Sequence, residues 1–152
     1  MIYTPLTNRA MRFAYAAHVG QVDKSGVPYI FHPYHLAEQM DDEISACVAL
    51  LHDVLEDTAV TAQELEREFP PAVTEAVLLL TYDREMDYFD YIRSLAVNPV
   101  ARKVKLADLL HNSDQTRLAG CPQVSGEQKE RWRIKYQRAL ELLASLDSSA
   151  DK

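Results

Sequence analysis

Within its 152 residues the chain carries only four glycines, two cysteines and one tryptophan, and no apolar run approaches the roughly 20 residues a bilayer crossing needs. Each shortage excludes something. With four glycines and seven prolines there are few places for the tight turns of an all-β chain. Cys47 and Cys121 are far apart and lack CxxC spacing, so neither a disulfide framework nor a thiolate metal site is on offer, and a reducing cytoplasm fits. The N-terminus shows no basic segment followed by an apolar core, as an untargeted soluble protein would have it. Positive charge is scarce too. Sixteen Lys and Arg against 23 Asp and Glu leave a net charge of -7. That argues against nucleic acid or an anionic membrane as partner, and any anionic substrate must be met by a local pocket.

What the chain does have is helical periodicity throughout and 47% hydrophobic residues, enough for one real core and too few residues for two domains. The pattern predicts an all-α single compact domain over residues 1–146 and a frayed tail over 147–152. Thr7 or Asn8 caps a first helix ending near His18, and residues 20–33 form a turn-rich loop. A short helix follows with Pro33 in its first turn, and a helix from about Glu43 carries His52 and Asp53. Thr61 and Glu64 have capping-box spacing. Further helices span about 71–80, 87–96, 99–115 and 126–146.

Chemistry is concentrated in Leu51-His52-Asp53-Val54-Leu55-Glu56-Asp57. On one continuous helix, with His52 at zero, Glu56 falls at about 40°, Asp53 at about 100° and Asp57 at about 140°. All four then share one face, while Val48, Leu51 and Leu55 turn to the core. An isolated Glu/Asp pair is ordinarily a solvated helix face. Here the preceding Ala-Leu-Leu draws the cluster toward the interior, where unpaired carboxylates would cost several kcal/mol, so a bound cation is the simplest explanation.

A second cluster, Lys105, Asp108 and Asn112, falls on one helix stripe three and four residues apart, a spacing that by itself equally describes a surface salt bridge. The third element is His32-Pro33 at the end of the turn-rich loop. Together His32, His52, Asp53 and Asp108 make a nitrogen and oxygen donor set suited to manganese, iron or zinc. His35 would have to reach around its helix to join, and His18 and His111 fit better as supporting hydrogen bonders.

Four motifs stand in order: His18-x-Gly20-Gln21; Lys24-Ser25-Gly26-x-Pro28-Tyr29-Ile30-x-His32-Pro33; His52-Asp53-x-x-Glu56-Asp57-Thr58; and Lys105-Leu106-Ala107-Asp108-x-x-His111-Asn112. The chain resembles the HD-domain phosphohydrolases, and among them the RelA/SpoT-type hydrolase domain and its small stand-alone relatives, over about residues 10–136. The resemblance implies an HD-domain helical bundle and removal of the 3′-pyrophosphate of the guanine nucleotide ppGpp, giving GDP and pyrophosphate. It implies one divalent metal, typically Mn²⁺, on His32, His52, Asp53 and Asp108. Glu56 and Asp57 match the acidic pair that orients or activates water and assists the leaving group, in either division of labour. Lys24, Ser25, Lys105, Asn112 and Tyr136 match positions that hold the nucleotide, with Asn112 near the base. A cytoplasmic hydrolase without the synthetase activity of the bifunctional enzymes is the expectation.

One departure bears on the substrate. Asp23 stands where the family usually has arginine. A carboxylate neither stacks on a purine nor neutralises phosphate, and its repulsion is on the order of 1–3 kcal/mol at a partly exposed site. A different nucleotide therefore stands as an alternative, and a nucleotide sensor without turnover is a separate one.

Overall fold

The computed structural model describes residues 1–150. Among them run ten helices: α1 (Pro5–His18), α2 (Phe31–Glu38), α3 (Glu43–Leu51), α4 (Val54–Asp57), α5 (Ala62–Glu68), α6 (Pro71–Leu80), α7 (Tyr88–Leu95), α8 (Pro99–Asn112), α9 (Thr116–Ala119) and α10 (Gly126–Ala150). The only extended pairing among the described residues is the isolated antiparallel bridge Val22 to Pro28. The all-α class is as expected, and no helix among the described residues is long and apolar enough to cross a membrane.

α3 is the axle of the bundle. Ala46 to Leu51 are all buried, and α1, α2, α6 and α8 pack around the helix. Such a segment is apolar on every side, unlike the one-sided stripe drawn from the sequence. Asp42 starts α3 by accepting the Ser45 amide at 2.8 Å.

Several boundaries are set by specific bonds. α1 begins at Pro5 rather than after Thr7, because Thr4 and Thr7 form a reciprocal capping box and proline suits the first helical position. The Thr61–Glu64 capping box and the 71–80 helix stand where the sequence put them. α8 ends at Asn112, not near 115: the Ser113 hydroxyl takes the Leu109 carbonyl at 2.6 Å, and Asp114 accepts the Thr116 amide to open α9. α10 runs through Ala150, and Asp147 is tied to Arg102 at 3.1 Å, where the sequence suggested fraying. Residues 151 and 152, the end of that expected tail, lie outside the described residues.

The predicted continuous helix across His52 and Asp53 is not formed. α3 stops at Leu51, and α4 starts again at Val54 after Asp53 at φ -105°, ψ 0°. His52 Nδ1 donates to the Ala49 carbonyl at 2.7 Å, the acceptor a continued helix would offer to the Asp53 amide. The wheel angles assigned to this segment are therefore superseded, and Asp53 is re-aimed by the break.

The loop before α2 is braced across the chain. Gly20 and Gly26 take the left-handed conformation, at φ 82° and 79°. Asp23 Oδ1 accepts the amides of Ser25 and Val27 at 2.8 and 3.0 Å. The Ser25 hydroxyl donates to the Arg117 carbonyl at 2.6 Å, and the Cys121 thiol donates to the Lys24 carbonyl at 2.8 Å.

Candidate functional site

Three helices that meet in the core bring the four proposed ligands together: His32 from α2, His52 and Asp53 from the break after α3, and Asp108 from α8. Asp108 Oδ1 lies 3.0 Å from His32 Nε2 and 3.7 Å from His52 Nε2. Asp53 Oδ2 lies 2.9 Å from His52 Nε2 and 4.0 Å from His32 Nε2. His32, His52 and Asp53 present one donor atom each within 4.8 Å of one another. His32, His52 and Asp108 are buried.

The donor set fits a cation. Because His52 Nδ1 gives its proton to Ala49, the neutral ring keeps its lone pair on Nε2, a buried atom with no hydrogen-bond partner that faces two carboxylates. Burial opposes a charge on His52, yet Asp53 and Asp108 outweigh it and hold the imidazole pKa well above its ordinary value. A divalent ion would supply that positive charge without a proton on His52. His35 stays out of the cluster, exposed and stacked on His111 at 4.1 Å.

A surrounding layer orients these groups. His32 Nδ1 and His111 Nδ1 are 2.7 Å apart and share one proton. Burial, with Arg117 beside it, pushes His111 down to about 4, so it is neutral and accepts from His32, leaving His32 Nε2 toward the cluster. Lys105 donates to Asp108 Oδ2 at 2.8 Å and Asn112 to Asp108 Oδ1 at 2.9 Å, so the predicted stripe forms and faces inward. Against the desolvation that raises it, Lys105 holds the Asp108 carboxyl well below the ordinary range. The Tyr29 hydroxyl donates to Asp53 Oδ2, with the His18 ring 4.9 Å from the phenol and His18 Nδ1 2.7 Å from Gln21 Oε1.

Above this floor opens a cavity of about 480 Å³. Glu56 and Asp57 line it from α4, Tyr136 from α10. Desolvation and the charge of Asp53 raise both carboxyls, which makes them better proton acceptors than ordinary surface acids. Glu56 Oε1 is pinned by the Tyr82 amide at 2.7 Å. The opposite rim is cationic: Lys24 sits 3.3 Å over the Trp132 ring, Lys135 sits 4.1 Å over Tyr88, and Arg117 reaches in from α9. Asp23 is engaged rather than free, since Oδ1 serves its own loop and Oδ2 lies 3.7 Å from Arg117 Nη2.

All eleven residues proposed from the sequence are brought to this region. Ser25 turns its hydroxyl to the Arg117 carbonyl, so in this state it braces the loop. Sequence reasoning gave no role to Tyr29, Tyr82, Arg117 or Trp132. Tyr29 was within reach of it, a phenol three residues before His32 in the motif loop. The other three arrive from distant segments and carry no local signal.

A family model described as HD domain matches residues 10–117. The chain is 36% identical over 122 residues to the GTP pyrophosphokinase rsh of Brucella abortus (strain 2308), covering 70% of this chain and 16% of that protein. It is 37% identical over 116 residues to the guanosine-3′,5′-bis(diphosphate) 3′-pyrophosphohydrolase of Aquifex aeolicus, covering 68% and 17%, and 37% identical over 113 residues to the bifunctional (p)ppGpp synthase/hydrolase SpoT of Escherichia coli K12, covering 63% and 16%. The chain thus spans only 16–17% of the length of these relatives. A solved structure of a metazoan ortholog of SpoT that hydrolyzes ppGpp shares the fold, with TM-score 0.75 and 24% identity over 97% of this chain and 95% of that one. With the matched segment running from α1 through the His-Asp break to α9, the chain belongs to the HD-domain family.

Proposed function

We propose that this chain is a metal-dependent phosphohydrolase that removes the 3′-pyrophosphate of ppGpp, with one divalent ion, Mn²⁺ first among the candidates, held by His32, His52, Asp53 and Asp108. The observation that carries the metal reading is the buried, unpartnered His52 Nε2 between two carboxylates. The substrate reading leans on the relatives, among them the Aquifex protein named as a 3′-pyrophosphohydrolase. Free, buried Cys47 and Cys121 agree with work in the cytoplasm.

When bound, the ion supplies positive charge that polarises a phosphoryl oxygen and acidifies a water. The chain's own residues do the rest. Asp57 or the free oxygen of Glu56 takes the proton as the water oxygen bonds to the phosphorus on the ribose 3′-oxygen. The bond between that phosphorus and the 3′-oxygen breaks, the 3′-oxygen gains a proton, and GDP and pyrophosphate leave. Lys24 and Lys105 counter the charge of the 3′-diphosphate, and Tyr29 keeps Asp53 turned toward its neighbours.

A second reading, a hydrolase for another nucleotide, is favoured by the carboxylate of Asp23 at the mouth of the pocket. The test is pyrophosphate release from ppGpp by Mn²⁺-loaded protein, with Asp53→Asn as control and other nucleotides alongside. Turnover of ppGpp that the substitution abolishes supports the proposal. Turnover of a different nucleotide alone moves the substrate, and tight binding without product makes the protein a sensor.

A further inference from the structure

Five carboxylates line the cavity, those of Asp23, Asp53, Glu56, Asp57 and Asp108. A polyphosphate enters such a space only where cations on the rim outweigh them. Lys105 is paired with Asp108, Lys24 and Lys135 rest on the faces of Trp132 and Tyr88, and exposed Arg84 acts on Asp57 at the far side of the cavity from α9.

Arg117 is placed differently. Nη1 donates to the His111 carbonyl at 3.0 Å and to Asn112 Oδ1 at 3.3 Å, and Nη2 lies 3.7 Å from Asp23 Oδ2. The guanidinium therefore joins the end of α8 to the mouth loop through contacts that are long or partly exposed. Its planar fork of donors suits a phosphate better than an ammonium does. Asn112 is held by its own shorter bond, Nδ2 donating to Asp108 Oδ1 at 2.9 Å.

We infer that Arg117 is a specificity-determining residue, anchoring the phosphate group of the nucleotide that does not react, with Asp23 moderating its charge. This deepens the phosphohydrolase reading and rests on it: a guanosine bearing diphosphate groups at both 3′ and 5′ is distinguished from one with a free 5′-hydroxyl. The Ser25 hydroxyl bonds to the backbone carbonyl of residue 117, so a side-chain substitution leaves the loop brace in place.

The experiment compares wild type, Arg117→Ala and Arg117→Lys on ppGpp and on guanosine 3′-diphosphate with a free 5′-hydroxyl, all loaded with Mn²⁺. Arg117→Ala should raise KM for ppGpp about tenfold or more, leave KM for the 5′-hydroxyl compound unchanged and alter kcat little, with lysine recovering part of the loss. The Mn²⁺-induced rise in Tm should match wild type, which reports an intact metal site. Equal effects on both compounds, or none on either, overturn the inference. If wild type turns over neither, the hydrolase reading falls separately. Affinities for the two compounds are then read from the fluorescence of Trp132, the only tryptophan. Loss of the preference for ppGpp in Arg117→Ala upholds the anchor, and an unchanged or absent preference removes it.

Discussion

The floor of the pocket takes its side chains from helices locked in the core, whereas the rim takes them from a braced loop, the one-turn α9 and the outer part of α10. On the floor, His32, His52 and Asp108 are each 5% exposed or less, and each makes bonds that leave a single workable orientation. On the rim, Lys24 is exposed, and Trp132 and Arg117 are half-buried. Precise geometry is needed where bonds are made and broken, and rigid elements supply it. Recognition of a flexible polyanion tolerates movement, and loops are free to vary.

Substitutions on the two sides should separate accordingly. The largest effect is expected from Asp53→Asn, which removes the charge of a proposed ligand and leaves two imidazoles without it. Turnover and the Mn²⁺-induced Tm increase should both vanish, as seen by pyrophosphate release and calorimetry. Glu56→Gln comes next. The metal-dependent Tm increase should survive while kcat drops by about 10²- to 10⁴-fold, the usual contribution of a general base. A parallel loss of metal binding would make Glu56 part of the floor. Tyr29→Phe, which deletes the hydroxyl on Asp53 without touching a ligand, should weaken Mn²⁺ about tenfold by titration calorimetry, in line with losses on removing a partner of a metal ligand.

On the rim the effects should be smaller and confined to KM. Trp132→Ala takes away the ring beneath Lys24 and should raise KM several-fold with kcat unchanged. The smallest change is expected from Asp23→Asn, which keeps the Oδ1 acceptor for Ser25 and Val27 while removing a negative charge from the mouth. KM for ppGpp should fall about two- to fivefold at low salt and less at high salt, because an exposed charge is screened. A rise in KM would show that Asp23 serves chiefly to hold Arg117.

The floor was legible because its motifs are local. His32-Pro33 beside a turn-rich loop, His52-Asp53 in an apolar run, and Lys105, Asp108 and Asn112 at helical spacing each announce themselves within a few residues. The helix break at His52 was not legible, since continuing the helix and bonding the Ala49 carbonyl with an imidazole are local options of similar energy, and packing chose between them. The partners of Asp23 were not legible for a related reason. Its charge was weighed alone, while its carboxylate in fact serves two amides of its own loop and faces a guanidinium 94 residues further along the chain.

By itself the sequence determined the helical class, the capped start of α5, the extent of α6, the single core and the four proposed donors, all consequences of patterns spanning a turn or two of helix. Only the tertiary structure decided that α3 is buried on every side, that His52 Nε2 is left facing two carboxylates, and that Arg117 and Trp132 form the rim. Periodicity reports which face of a segment avoids water. Which distant side chain comes to stand opposite a given charge depends on how the helices pack.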